Sequence, residues 1–315
     1  MRVKCLLVVA AVLLIPAVVA SAAVNTTVVV DYDPAVGELP EGVAVDKRGD
    51  VFVSLSPLGQ VRRIDRDGSE TTLAQVVPPG AGSGVVGLAV DAPGNVYVAA
   101  ATLDTATSGV YKIARDGSFV RLPGTAAIVF PNGVTLDKRG NVYVTDTIRG
   151  AVWRVPAGGG PAEVWYESAL LVGSGLFGLG FPLGANGIAF RQDAIVVGNT
   201  EGARLVRIEI EPDGSAGAAS VLAEGLSLLG VDGIAFDVHG NVWAAVIAQS
   251  TIVRVSPSGA VTTMATAADG LDWASSIAFG KSGDLWAVNF AIGPPGGPGP
   301  ALLRLDMGVK GQPVP

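Results

Sequence analysis

Four side chains that carry hard oxygen donors stand at the same place in an internal repeat. Glu41, Asn132, Asn186 and Asp232 each precede a glycine and a short apolar run, as in Asn132-Gly-Val-Thr-Leu-Asp137 and Asp232-Gly-Ile-Ala-Phe-Asp237. Two further copies place Val86 and Ser275 in that column. Carboxylates and amides offer oxygen without the imidazole or thiolate that zinc and copper favour. A converged set of this kind therefore suits Ca2+ or Mg2+. Two carboxylates would neutralise a divalent ion and leave positions for water or a ligand. Unpaired buried charge is costly, and a bound cation removes that cost. The plainer alternative is a polar cap, with the same residues hydrogen-bonded to water.

Whether these residues meet depends on the elements that carry them. Aligned on Gly42, Gly87, Gly133, Gly187, Gly233 and Ser276, the six copies are spaced by 45, 46, 54, 46 and 43 residues. A period in the forties marks a repeat architecture. In the third copy, residues 133–137 read as a strand, 138–141 as a tight turn with Gly140 and Asn141, and 142–145 as a returning strand. A third strand at 151–155 and a fourth at 162–166 complete the unit. Third strands recur at 61–64, 110–113, 205–208, 252–255 and 302–305. Four antiparallel strands per repeat are the mark of a propeller blade, so the expected fold is an all-β, six-bladed β-propeller. The sixth blade runs out of chain near Asp306, and the strand at 26–30 is expected to complete it and close the ring. An open solenoid would leave two bare edges.

In a propeller the first strand of each blade lines the central channel, so the residue opening it recurs at one mouth. Glu41, Asn132, Asn186 and Asp232 are thus the expected metal ligands, with Asp232 also a candidate to handle a proton. The second strand returns to the same mouth and brings Leu55, Ala100, Asp146, Asn199, Val246 and Asn289. Asp146 is a candidate base, and Asn199 and Asn289 candidates to orient the ligands. The equally open alternative is that all three satisfy strand-end backbone groups. The single histidine in a blade, His239, falls in a first turn at the other end, which excludes a Ser-His-Asp triad.

Pro40-Glu-Gly42, Pro131-Asn-Gly133, Asn186-Gly187 and Asp232-Gly233 resemble the metal-ligand positions of the gluconolactonase, or senescence-marker-protein (regucalcin), family. Residues 142–147 also resemble the second strands of that family and of NHL-repeat propellers. The resemblance spans nearly the whole chain after residue 22. It implies a six-bladed calcium-binding propeller that hydrolyses lactones or related esters at one divalent ion. It also marks a departure: Phe130 stands where sugar-lactone members tend to place a substrate-gripping arginine.

Residues 1–22 read as a secretory signal, with Arg2 and Lys4 ahead of an apolar run that ends in small residues. The expectation is a secreted or periplasmic protein of one domain, residues 23–315, with no membrane attachment after cleavage. Cys5 is the only cysteine and would leave with the signal, so neither disulfide nor thiolate chemistry is expected. The formal charge is −7, without a basic stripe, which argues against nucleic acid as a partner. The longest spacing marks an insertion at 168–181, glycine-rich and apolar, and a shorter apolar loop lies at 226–229. Either could form an apolar rim at the mouth, for an apolar lactone or ester, or pack down to cover it. Two functions remain in view: a metal-dependent lactone or ester hydrolase, and a non-catalytic binding propeller with a structural calcium ion.

Overall fold

The computed structural model describes residues 24–294 and 296–314 and is built almost wholly of β-strands. The signal assigned to 1–22, with Cys5, lies outside the described residues. Among the described residues no helix is long and apolar enough to cross a membrane.

The strands group into six four-stranded antiparallel sheets. After β1 (Thr26–Asp31), the first blade comprises β2 (Pro40–Val45), β3 (Val51–Leu55), β4 (Gln60–Ile64) and β5 (Glu70–Gln75). The second comprises β6 (Val85–Val90), β7 (Val96–Ala100), β8 (Gly109–Ile113) and β9 (Phe119–Arg121). The third comprises β10 (Pro131–Leu136), β11 (Val142–Asp146), β12 (Ala151–Val155) and β13 (Glu163–Glu167). The fourth runs through β14 (Ala185–Arg191), β15 (Ala194–Asn199), β16 (Arg204–Ile210) and β17 (Ala216–Glu224). The fifth runs through β18 (Val231–Phe236), β19 (Val242–Val246), β20 (Thr251–Val255) and β21 (Val261–Ala265). The sixth has β22 (Ala274–Phe279), β23 (Asp284–Asn289) and β24 (Ala301–Asp306), and β1 pairs antiparallel with β24 as its outer strand. The ring is closed by the N-terminal strand, as expected.

The buried apolar residues form six clusters, each shared between neighbouring blades. No blade has a core of its own, which is why a single repeat could not fold alone. The first turns explain the recurring Asp-x-x-Gly-Asn. In blade three, Asp137 Oδ1 accepts from Arg139 N and Asn141 N, and Oδ2 accepts from Asn141 Nδ2 and Tyr143 OH. In blade five, Asp237 repeats the arrangement with His239 N, Asn241 and Trp243 Nε1. His239 is therefore a turn residue at the end of the channel away from the β2 and β10 starts.

Beyond β24 the chain turns under the ring. Val238 N donates to Lys310 O, Gln312 N to Phe236 O, and Gln312 Nε2 to Phe190 O, all at 2.9–3.0 Å. Val314 then packs against the cluster between blades one and two. This tail crosses the lower end of the channel by the phenylalanines of the repeated Ile-Ala-Phe and lines it with Gln312, Pro313 and Val314.

Candidate metal centre

Each innermost strand breaks its ladder register within its first residues, for example between Pro131 and Val134 and between Val231 and Ile234. Such bulges re-aim a side chain out of the sheet's alternation. Glu41, Asn132, Asn186, Asp232 and Ser275 all fall in these bulges, and all five line one central cavity of about 200 Å³. The glycine that follows lets neighbouring bulges touch. A Cβ on Gly42 would stand 2.5 Å from Val86 O, and one on Gly87 2.5 Å from Asn132 O. The repeated x-Gly pair thus has two parts: a side chain aimed into the channel and, in five of the six blades, a bare Cα that lets the inner strands converge.

Below the ring the cavity wall is apolar, with Val43, Leu88, Val134, Ile188, Ile234 and Ile277, and Gln312, Pro313 and Val314 form its floor. The oxygen donors sit at the other end, on the opening residues of the inner strands. Glu41 and Asp232 are each only 8 % exposed. Burial, then the charge of Asp232, holds the Glu41 carboxyl well above the usual carboxylate range. Burial likewise pushes Asp232 up to about 7, while the Asn186 amide beside it pulls the other way. Among the described residues no lysine, arginine or histidine side chain offsets the charge of either group.

The amides are held in a defined sense. Asn132 Nδ2 donates to Thr147 Oγ1 at 3.2 Å, and Asn186 Nδ2 donates to Thr200 Oγ1 at 3.1 Å. Each threonine hydroxyl spends its own proton on a carbonyl, Thr147 on Ala185 O (2.7 Å) and Thr200 on Val231 O (2.8 Å). The hydroxyls can therefore only accept from the amides, and the amide nitrogens must face them. Among the described residues no three His, Cys, Asp or Glu side chains cluster, so a cation here would need the amide oxygens as well. Two uncompensated carboxylates and two anchored amides on one cavity fit a hard divalent ion.

The structure does not bring the other three candidates to this cavity. Asp146 is fully buried, and its carboxylate accepts from Val129 N, Phe130 N and Arg149 N. Asn199 donates to Leu170 O and Val172 O and accepts from Gly202 N. Asn289 donates to Gly270 O and accepts from Asp272 N. All three tie loops to the ends of second strands, and none lines the cavity. A strand-end position fixes the height of a side chain, and the pleat decides its direction. The residues one step further along, Thr147 and Thr200, are the ones that reach Asn132 and Asn186. Their signal in the sequence is a threonine directly after the column residue.

The inserted loop is partly folded down. Leu171 is buried, and the Phe181 ring lies 5.6 Å from that of Phe130. Glu201 accepts from Ser174 N, Gly175 N and Phe177 N and organises the loop from below. Burial raises its pKa, but these backbone donors outweigh it and leave the carboxyl below its ordinary value. Leu176, Leu179 and Leu226 stay exposed.

Comparison with known proteins agrees with this architecture. No curated protein matches the chain in sequence. The structure is similar to a gluconolactonase from Xanthomonas campestris, with 18 % identity, TM-score 0.67, and 90 % of each chain covered. It is similar to a calcium-binding protein, regucalcin, from Agrobacterium tumefaciens, with 15 % identity, TM-score 0.68, and 93 % and 97 % covered. It is also similar to a virginiamycin B lyase from Staphylococcus aureus, solved as a catalytically inactive His-to-Ala variant with quinupristin, with 17 % identity, TM-score 0.59, and 92 % and 89 % covered. Residues 182–287, the stretch that carries Asn186 and Asp232, match the family model of the SMP-30/Gluconolactonase/LRE-like region, and over the chain as a whole the six-bladed propeller fold is similar to that of the gluconolactonase and regucalcin structures.

Proposed function

We propose that the protein is a hydrolase of a lactone or ester that depends on a hard divalent cation, Ca2+ or Mg2+, at the channel mouth. The observation that carries this is the buried pair Glu41 and Asp232, which lacks a countercharge and shares its cavity with Asn132 and Asn186. These four residues would hold the ion. When bound, such an ion polarises a carbonyl and lowers the pKa of a water. Apolar side chains of the inner strands and the tail residues Gln312, Pro313 and Val314 line the rest of the cavity. Burial raises both Asp232 and Glu41 in the ion-free protein, and both would be ionised to hold the ion, so an Asp232 oxygen not engaged by the ion would be the acceptor for a proton. Asp146 is not a candidate for this role, since its oxygens are committed to backbone N–H groups.

The buried Phe130 ring, stacked near Phe181 two residues before Asn132, supplies no cation to grip a sugar. The exposed Leu176, Leu179 and Leu226 add apolar surface, which favours an apolar lactone or ester. The basic start and apolar run of residues 1–22 support a secreted or periplasmic setting for this activity.

A second reading is a binding propeller with a structural ion. It draws support from the lack of a further base on the cavity. The lyase chemistry of the Staphylococcus aureus neighbour is disfavoured, because His239 caps a turn at the far end of the channel. The test is a panel of lactones and aryl esters with the protein in excess Ca2+. Turnover abolished by EGTA and by Asp232→Ala supports the hydrolase. An ion-loaded protein that turns over nothing on the panel leaves the binding propeller.

A further inference from the structure

We propose that Thr147 and Thr200 are positioning residues for the metal centre: each fixes the amide flip of one ligand and the backbone of the next. The inference rests on the cation reading above and goes beyond it by assigning how the site keeps its geometry without an ion.

An asparagine can present either oxygen or NH2 to a cavity, and the wrong flip would point two donor hydrogens at a cation. A carboxylate has no such ambiguity. Thr147 resolves it for Asn132, and Thr200, together with the neighbouring Asp232 carboxylate, for Asn186, because each hydroxyl has already donated its proton and can only accept. The carbonyls that take those protons belong to Ala185 and Val231, the residues immediately before Asn186 and Asp232. A continuous relay therefore runs from Asn132 through Thr147 to the bulge that holds Asn186, and from Asn186 through Thr200 to the bulge that holds Asp232. Three of the four ligand positions, on consecutive blades, are linked in this way.

The distribution of residues at this position follows the same logic. The six residues directly after the second strands are Ser56, Ala101, Thr147, Thr200, Ile247 and Phe290. Threonine occurs on the two blades whose inner residue is an amide. Blade five, whose inner residue is Asp232, has Ile247. Blade one has Ser56, whose hydroxyl bonds to Ser83 O rather than to Glu41.

The experiment is calorimetric titration of Ca2+ into the wild type, Thr147→Val, Thr147→Ser, Thr200→Val and Thr200→Ser, with thermal melts of each in EGTA. The expected result is Ca2+ binding about 10–100-fold weaker in the valine variants, as for other groups that orient ligands, and near wild type in the serine variants. A second comparison separates flip control from general support of the fold. With Asn132→Asp the ligand no longer has a flip to set, so Thr147→Val should then cost little or no affinity. Valine variants that bind as tightly as wild type overturn the proposal while leaving the cation reading intact. So does an equal cost of Thr147→Val with Asn132 and with Asp at that position. A wild type that binds neither Ca2+ nor Mg2+ overturns the cation reading, and this proposal falls with it.

Discussion

Glu41 and Asp232 repel one another across a buried cavity, and each is penalised by burial. Removing one charge should therefore act in opposite directions with and without the ion. In EGTA at pH 8, Glu41→Gln relieves both the repulsion and one desolvated charge, so the variant should melt above the wild type. A gain of 1–2 kcal/mol would amount to a few degrees in a domain of this size, roughly 2–4 °C per kcal/mol. In excess Ca2+ the order should reverse, because the wild type gains stability from binding and the variant loses a ligand. A Glu41→Gln protein that melts below the wild type under both conditions would show the carboxylate to be a structural partner rather than an ion ligand. The contrast also shows how much a residue type discloses by itself. Glu41, Asn132, Asn186 and Asp232 could be selected as a column because their chemistry is unusual for an inner strand. Asp146, Asn199 and Asn289 have equally suggestive chemistry at the right height. Their side chains instead satisfy loop N–H and carbonyl groups, a partner choice set by loops whose conformation no spacing rule supplies.

The inner strand is the element that turns the column into a site. Its bulge aims one side chain inward, and the glycine after it lets adjacent strands approach. Gly87 has no φ in the left-handed region, so its requirement is one of space: an added Cβ would meet Asn132 O at 2.5 Å and Gly133 Cα at 3.1 Å. Gly87→Ala should therefore push blade three away from blade two and destabilise the fold by about 1–3 kcal/mol, the usual cost of overpacking. Gly158 is the control, since a Cβ there meets nothing within 4 Å, and Gly158→Ala should be close to neutral. Equal denaturation midpoints for the two variants would refute the close-approach account. This element was largely legible in advance, because the turn chemistry of Asp137 and Asp237 and the period of the inner strands repeat almost residue by residue. The stretch at 307–314 was not. It belongs to no repeat, and its role comes from backbone bonds to Phe236 and Phe190 that only the closed ring brings near.

For the molecule as a whole, the centre makes stability depend on pH in a direction unusual for a protein with this many carboxylates. Asp232 moves from a usual 3.8 to about 7 in the fold, and Glu41 moves upward from 4.5. Between those limits the folded state binds more protons than the unfolded chain. The contribution of this pair to the stability of the ion-free protein is therefore fully present below about pH 4 and is lost as pH rises through about 7. Other carboxylates act in the opposite sense. Burial raises Asp237, but Asn241 and Trp243 outweigh it, and the loop donors do the same for Glu201, so both end below their ordinary values. Their contribution is present above their unfolded pKa and is lost as the pH falls. The ion-free protein should accordingly be most stable near pH 5 and should weaken toward pH 8. Adding Ca2+ should change little at pH 5 and stabilise progressively more up to pH 8, because binding requires both carboxylates ionised and releases protons near neutrality. Melting curves across this range in EGTA and in Ca2+ test the claim, with proton release read from titrations in buffers of different ionisation enthalpy. An ion-free profile that stays flat from pH 5 to 8, together with Ca2+ binding that releases no protons, would mean that Glu41 and Asp232 are already ionised and compensated. The argument from uncompensated buried charge to a cation at the channel mouth would then fail.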